Sequence, residues 1–246
     1  MHTLALDIGN TAVKAACFAD GRLRELVASL TTEQLRALVA RWQPQHMVVS
    51  SVAADAALTV QELRELVPGQ VLAFEPGTTP VPLRNAYATP HTLGADRLAA
   101  AVGAAGLWPG RNVLIIDAGT AIKLDLVTAD NTYHGGSIAP GLQLRLKALH
   151  HFTGRLPLLS LPTPDATVSL TGDSTQGAML SGVVNGTVAE IGGILAEYRR
   201  RYPSLSAVLT GGDAGFLAAR LSARIFVVPE LVLLGLNRIL AYNVEE

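Results

Sequence analysis

Two short motifs of the same kind open the two halves of the chain and constrain its fold more than any other feature. Residues 7–11 read Asp-Ile-Gly-Asn-Thr and residues 117–121 read Asp-Ala-Gly-Thr-Ala, and each motif lies between two strand-like runs. A glycine after the carboxylate lets the backbone turn sharply and pass close to a phosphate. The carboxylate is suited to hold hydrated Mg²⁺, which needs only one or two protein ligands when phosphates supply the rest. Two copies predict a duplicated domain with a nucleotide bound between the halves.

Strand and helix patterns alternate along the chain and predict an α/β fold. The turn at residues 108–110 reads Trp-Pro-Gly and is the best domain boundary, so the expected domains are residues 1–108 and 109–246. In the first half we predict strands at 4–7, 13–18, 23–29, 47–52 and 71–74, helices starting at 31–34, 58 and 93, and a loop rich in proline and threonine at 76–90. In the second half we predict strands at 113–117, 121–127, 133–138, 207–210 and 225–228, and helices at 142–151, 174–201 and from 231.

Composition narrows the class of protein. Hydrophobic residues make up 49% of the 246 residues and charged residues 16%, as is typical of a compact globular protein. A formal net charge of −1 gives no reason to expect nucleic acid or an anionic membrane as a partner. The single cysteine, Cys17, lies in an apolar run, and we interpret it as a buried structural thiol. The start of the chain lacks the basic region of a signal peptide, and Pro229, Glu230 and Gly235 interrupt the apolar stretch 225–240. We therefore expect a cytoplasmic protein with no membrane span.

Several ordered motifs together resemble one known family. They are residues 7–11, 87–97, 117–121, 135–141, 153–157, 174–178 and 209–214, and the second of them reads Tyr-x-x-Pro-x-x-Leu-Gly-Ala-Asp-Arg. The chain resembles the type III pantothenate kinases, members of the acetate and sugar kinase, Hsp70 and actin superfamily. The resemblance implies two actin-like (ribonuclease H-like) domains with a nucleotide cleft between them. It also implies a homodimer that phosphorylates pantothenate with ATP, the first step of coenzyme A biosynthesis, and that needs Mg²⁺ and a monovalent cation, K⁺ or NH₄⁺.

The same resemblance implies roles for individual residues. Asp96 is expected to be the general base, Arg97 to bind the substrate carboxylate, and Asp7 to hold Mg²⁺. Asp117 is expected to contribute to the monovalent-cation site. The other expected substrate contacts are Tyr87, Gly94, Ala95 and, from the neighbouring subunit, Thr175. The other expected ATP contacts are Ile8, Gly9, Asn10, Thr11, Gly119, Thr120, Gly211 and Gly212.

The residues themselves leave alternatives open for several of these roles. Residues 7–10 also suit a plain hairpin turn, and the glycine pair at 211–212 also suits a turn after a strand. Asp96 is also interpretable as an ordinary charge in the first turn of a helix, and Tyr87 as a partly buried loop tyrosine. Thr175 is also interpretable as a helix cap. The loop 152–164 either orders over the substrate or supports a dimer.

One residue departs from the family pattern. The family usually has a threonine after the residue equivalent to Ile122, and this chain has Lys123. On a strand, Lys123 shares a face with Ala121 and Asp125, so one interpretation is an ordinary surface pair between Lys123 and Asp125. A second hypothesis places the Lys123 ammonium near the cation site, where it alters the need for potassium.

Two other functions are compatible with the sequence. A kinase of the same fold could act on another small acceptor, such as a sugar, glycerol or acetate. A non-catalytic transcriptional accessory factor is the second alternative, although the chain has neither a basic stripe nor a recognisable pair of DNA-binding helices. Intact acidic residues in both phosphate motifs favour an enzyme.

Overall fold

Five strands from the start of the chain form the first sheet. The computed structural model describes residues 1–9, 13–51, 61 and 63–244. The sheet has the order β3-β2-β1-β4-β5. Its strands are β1 (His2–Ile8), β2 (Val13–Ala19), β3 (Arg22–Ala28), β4 (His46–Ser51) and β5 (Val71–Ala73). Strand β1 pairs antiparallel with β2 and parallel with β4. These strands confirm the predicted pattern, and the turn between β2 and β3 has positive φ at both Asp20 and Gly21, as expected for a tight hairpin.

Two long helices of the first half of the chain follow the sequence signals that predicted them. Helix α1 (Thr32–Trp42) starts at a capping box in which Thr31 and Gln34 bond each other's backbone N–H groups. Helix α2 (Ala95–Leu107) follows a short 3₁₀ turn (Pro90–Thr92). The predicted helix beginning at residue 58 lies partly outside the described residues.

The second sheet contains the second phosphate motif. Its strands are β6 (Arg84–Asn85), β7 (Val113–Ala118), β8 (Ala121–Val127), β9 (Thr132–Pro140), β10 (Ser206–Thr210) and β11 (Phe226–Val227), in the order β11-β10-β7-β8-β9-β6. Strand β10 lies parallel to β7, with Thr210 opposite Asp117. Strand β6 was expected to be loop, but it pairs with Thr132 and Tyr133 at the start of β9.

Helices of the second half pack on this sheet through a largely aliphatic core. They are α3 (Leu142–His151), α4 (Thr175–Leu180), a π-helical segment (Ser181–Asn185), α5 (Gly186–Arg201) and the short α6 (Ala214–Ala218). The stretch Thr175–Arg201 is continuous and 27 residues long, so it meets the length and composition criteria for a membrane span. Val183, Val184, Ile191 and Leu195 of this stretch are buried in the core with strands β7, β8 and β10, and 33% of its apolar window is buried.

The chain divides into two compact units. The first contains Met1–Gly110, Val127–His134 and Glu230–Glu246, and the second contains Arg111–Leu126 and Gly135–Pro229. Unlike the expected domain of residues 109–246, the second unit does not include the final helix, α7 (Leu231–Val244).

Packing in the first unit explains the place of helix α7. A methyl group on Gly235 would overlap the carbonyl oxygen of Ala99, so the missing side chain lets α7 approach α2 closely. In addition, the Thr3 hydroxyl donates a 2.6 Å hydrogen bond to Asn237 Oδ1. The last helix therefore joins the first sheet and α2 in one core.

Candidate functional site

The first phosphate motif begins at the carboxyl end of β1. Asp7 is half-buried and lies opposite Lys14 of β2 and Ser50 of β4. Ile8 is buried in the core of the first unit, and Gly9 follows directly after the strand. Carboxyl ends of neighbouring parallel strands are the usual position for ligand-binding residues in α/β sheets. Asn10 and Thr11 lie outside the described residues, so their expected phosphate contacts stay a prediction.

The substrate motif of the sequence forms a cluster at the start of α2. Gly94 occupies the N-cap position, Ala95 is the first helical residue, and the half-buried Asp96 lies in the first turn. Asp96 Oδ1 accepts a 2.9 Å hydrogen bond from the backbone N–H of Arg97. The positive end of the helix dipole favours a negative charge at this position. The structure thus places the Asp96 carboxylate in the first turn of α2, beside the backbone N–H of Arg97.

Arg97 and Tyr87 complete this cluster. Arg97 is only 5% exposed, and its Nη1 lies 3.4 Å from the hydroxyl oxygen of Tyr87. The guanidinium carbon lies 5.4 Å from the centroid of the Tyr87 ring, within the range of a cation–π contact. The Tyr87 ring in turn lies 6.1 Å from the ring of the fully buried Tyr133. The loop tyrosine and the start of the helix therefore lie in one cluster of side chains. Their expected contacts with a substrate stay a prediction.

The second phosphate motif forms the turn between β7 and β8. The Gly119 backbone N–H donates to the Ala121 carbonyl, and Thr120 lies at the tip of the turn. The Thr120 carbonyl accepts a 3.0 Å hydrogen bond from the backbone N–H of Gly141, which precedes α3. Arg145 supports that junction, since it donates to the Pro140 carbonyl at 2.8 Å and to Glu190 at 2.7 Å. Arg145 could not be identified from a local motif, because its partner Glu190 is distant in the chain.

Lys123 makes a contact that corrects the sequence interpretation. Its Nζ donates to Asp117 Oδ2 at 2.6 Å, and the two side chains are 16% and 15% exposed. Asp125 is only 2% exposed. Because all three groups are largely buried, the interpretation of Lys123 as half of an exposed surface pair with Asp125 is wrong. Asp117 was expected to contribute to a monovalent-cation site. In the structure its carboxylate pairs with the ammonium group of Lys123.

The glycine pair at residues 211–212 turns the chain beside Asp117. Gly211 has φ of +93°, and a methyl group there would overlap the Ala118 carbonyl oxygen and approach Asp117 Oδ1. The backbone N–H of Asp213 donates to the Ala118 carbonyl at 2.9 Å. Burial raises the pKa of the Asp213 carboxyl. Gly211 is thus required by the close approach of two backbones, whereas the side-chain position of Gly212 has no neighbour within 4 Å.

Thr175 is an exposed residue in the first turn of α4. The cap of that helix is Ser174, whose hydroxyl oxygen accepts a 3.1 Å hydrogen bond from the Gly177 N–H. The interpretation of Thr175 as the cap is therefore wrong. Its expected contact with the substrate of a neighbouring subunit stays a prediction.

The residues present fit a nucleotide-bound divalent ion better than a dedicated metal cage. Among residues 1–9, 13–51, 61 and 63–244, no group of three or more His, Cys, Asp or Glu side chains is arranged to hold a metal. A single half-buried carboxylate, Asp7, at a strand end suits Mg²⁺ whose other ligands are phosphate and water.

Solved structures show the fold. A protein from Campylobacter jejuni described as a conserved Baf family transcriptional activator has a TM-score of 0.60 at 20% identity, and the match covers 99% of this chain and 100% of that one. The activator of 2-hydroxyisocaproyl-CoA dehydratase from Clostridium difficile, solved with bound ADPNP, has a TM-score of 0.55 at 16% identity and covers 100% and 96%. These likenesses confirm the predicted actin-like α/β fold with two sheets.

Sequence comparison identifies the family. The family model of type III pantothenate kinases matches residues 3–197. A type III pantothenate kinase from Cytophaga hutchinsonii is 40% identical over 241 residues, which cover 98% of this chain and 99% of the relative. Since the match extends over nearly the full length of both proteins, the chain belongs to the type III pantothenate kinase family.

Proposed function

We propose that this protein transfers the γ-phosphoryl group of ATP to pantothenate, giving 4′-phosphopantothenate for coenzyme A biosynthesis. Membership in a family whose curated members carry the name type III pantothenate kinase supports the reaction. The observation that carries the assignment of roles is the cluster at the start of α2. It combines the half-buried Asp96, the buried Arg97 and the ring and hydroxyl of Tyr87.

Asp96 and Arg97 act at different parts of the substrate. Consecutive helical residues point in directions about 100° apart, so neighbours in sequence need not contact the same group. Arg97 offers a planar fork of donors that matches a carboxylate, and Tyr87 holds that fork in place. Asp96 accepts the proton of the pantothenate primary hydroxyl. Gly94 and Ala95 present backbone beside these two side chains.

The transfer step needs positioning and charge neutralisation more than covalent chemistry. The hydroxyl oxygen bonds to the γ-phosphorus while its proton passes to Asp96. The bond between that phosphorus and the β-phosphate bridging oxygen breaks, and ADP leaves with the bonding electrons. Mg²⁺ bound with ATP neutralises charge on the phosphates, and Asp7 is the residue that would hold it.

Backbone groups of the turns contact the nucleotide in this proposal. Ile8 ends β1 and Gly9 follows it, Gly119 and Thr120 follow β7, and Gly211 and Gly212 follow β10. Asn10 and Thr11, which lie outside the described residues, come next in the sequence after Gly9. The open space at Gly119 and Gly212, where an added methyl group meets no atom within 4 Å, supports close approach of a ligand.

A homodimer in the cytoplasm is part of the proposal. Large apolar side chains of the second unit are strongly exposed, including Phe152 at 82% and Leu170 at 83%. Exposed apolar side chains favour a protein partner where they form one contiguous patch, and the proposal places these residues in such a patch. In this assembly Thr175 of the neighbouring subunit reaches the pantothenate site. The free, buried thiol of Cys17 is compatible with a reducing compartment.

A coupled ADP-release assay with ATP, Mg²⁺ and potassium tests the function. Pantothenate is compared with no acceptor and with glucose, glycerol and acetate, and the product is identified by mass spectrometry. Release that requires pantothenate, with phosphopantothenate as product, is the expected result. Release with a different acceptor, or no release from folded protein under any of these conditions, would overturn the proposal.

A further inference from the structure

Asp117 lies in a position where a positive charge is required. It is the next-to-last residue of strand β7, its side chain is only 15% exposed, and one carboxylate oxygen faces the turn at Gly211. The other oxygen, Oδ2, accepts a hydrogen bond from the ammonium of Lys123 at 2.6 Å. Withdrawing a carboxylate this far from water is costly unless a cation and hydrogen bonds compensate it. The ammonium of Lys123 supplies both the positive charge and a hydrogen bond.

The path of the chain fixes this ammonium beside the second phosphate motif. Strands β7 and β8 are neighbours in the sheet and are joined by the turn at Gly119 and Thr120. Lys123 is the third residue of β8, and its side chain is 16% exposed. The stem of lysine is flexible, so it is the contact with Asp117 that holds the ammonium in one place. The ammonium is therefore a built-in component of the site.

Asp117 is consequently a poor site for a free monovalent cation. A potassium or ammonium ion neutralises a carboxylate by contacting its oxygen directly, which is the contact that Lys123 already makes. A second cation against the same oxygen would lie within a few ångströms of Nζ, where like charges in a partly buried site repel strongly. The residues present thus disagree with the expected need for K⁺ or NH₄⁺.

We propose that Lys123 is a tethered monovalent cation of the active site, and that this enzyme turns over without potassium or ammonium. The inference rests on the proposed kinase function. Lys123 neutralises Asp117 and keeps a fixed positive charge at the turn that receives the nucleotide phosphates. Its role is positioning and charge compensation, and it takes no part in bond making.

The first test compares rates in two salts of equal ionic strength, potassium chloride and tetramethylammonium chloride, in the ADP-release assay with pantothenate. The wild-type rate is expected to differ by less than about threefold between them. Lys123→Thr opens space beside Asp117, so it should lose about tenfold or more in tetramethylammonium and recover in potassium. Lys123→Met fills the space with an uncharged stem and should stay slow in both salts. Lys147→Thr, which removes an exposed lysine of the same unit, should behave as wild type.

The second test does not depend on activity. Thermal unfolding of the nucleotide-free protein is followed in the same two salts, because an ion that binds the folded state raises the unfolding midpoint. Potassium is expected to raise the midpoint of Lys123→Thr selectively, and to leave wild type and Lys147→Thr unchanged.

The outcomes separate the two proposals. A wild-type rate that rises more than about threefold in potassium would overturn the tethered cation. An unfolding midpoint of the wild type that depends on potassium would also overturn it. The same holds if Lys123→Thr folds and has the wild-type rate in tetramethylammonium. If wild-type protein releases no ADP with pantothenate in either salt, the kinase assignment fails, and the unfolding midpoints still decide whether Lys123 excludes a free cation.

Discussion

The guanidinium of Arg97 lies against Tyr87, with its carbon 5.4 Å from the ring centroid and Nη1 3.4 Å from the hydroxyl. Both residues belong to the first unit, one on the loop before the 3₁₀ turn and the other in the first turn of α2. Arg97 is only 5% exposed. The Tyr87 ring therefore limits the directions in which the guanidinium N–H groups can point. The contact gives the charge a fixed direction, which a free surface arginine lacks.

Replacing Arg97 with lysine is expected to raise the KM for pantothenate by about tenfold or more, with a smaller change in the KM for ATP. Lysine keeps the charge but loses the planar fork and the stacking on Tyr87. Steady-state kinetics with each substrate varied in turn measures the effect. Arg41→Lys on α1 is a control, since Arg41 is exposed and pairs with Glu25. An unchanged KM for pantothenate would remove Arg97 from the substrate site.

Replacing Asp96 with asparagine is expected to lower kcat by about 100-fold to 10,000-fold, the usual contribution of a positioned base. Asparagine keeps the shape and can still accept a hydrogen bond from the Arg97 N–H, so folding should be preserved. The measurement is kcat together with the thermal unfolding midpoint. Glu33→Gln is a matched control, because Glu33 also occupies the second position of a helix in the first unit. If Asp96→Asn keeps a rate near that of wild type, another group accepts the proton.

The local pattern of the sequence was sufficient to predict most elements. Alternating apolar runs and turn residues located the strands that surround Asp7 and Asp117, and the capping signal at Thr31 located α1. Local signals failed where pairing is long-range. The two-residue strand β6 exists because it pairs with Thr132 and Tyr133, and nothing within residues 76–90 encodes that partner. Likewise, α7 joins the first unit through Gly235 and Asn237, whose partners lie more than a hundred residues earlier in the chain.

The candidate site shows the same division between local and distant information. The motif at residues 94–97 gave Asp96 and Arg97 together, because they share one helical turn. The partner of Lys123 could not be chosen from strand alternation, which identifies residues on the same face of β8 but not contacts with β7. Asp117 is reached across the turn between those strands, and only the three-dimensional arrangement shows that contact.

Replacing Gly211 with alanine is expected to destabilise the protein by about 1–3 kcal/mol, because φ of +93° is strained for a residue with a side chain. The added methyl group would also push against the Ala118 carbonyl. Gly212→Ala is the matched control for stability, since its side-chain position is open. It should change the free energy of unfolding by less than about 0.5 kcal/mol. Urea denaturation of both variants measures the difference, and equal stabilities would show that the turn relaxes freely.

Cys17 is expected to be unreactive in the folded protein at pH 8. Its side chain is fully buried in the core of the first unit. Burial, reinforced by the nearby charge of Glu25, raises the pKa of the thiol from 9.0 to about 12. Folding therefore disfavours the reactive thiolate. The contribution of Cys17 to the free energy of unfolding is complete below pH 9 and declines as the pH rises towards 12.

Labelling with Ellman's reagent measures this protection of the Cys17 thiol. The reagent should label the native protein far more slowly than protein unfolded in guanidinium chloride. The signal is unambiguous because the chain has one cysteine. Equally fast labelling of native protein would mean that this strand of the first sheet opens readily, and that the core around it is far less stable than its packing implies.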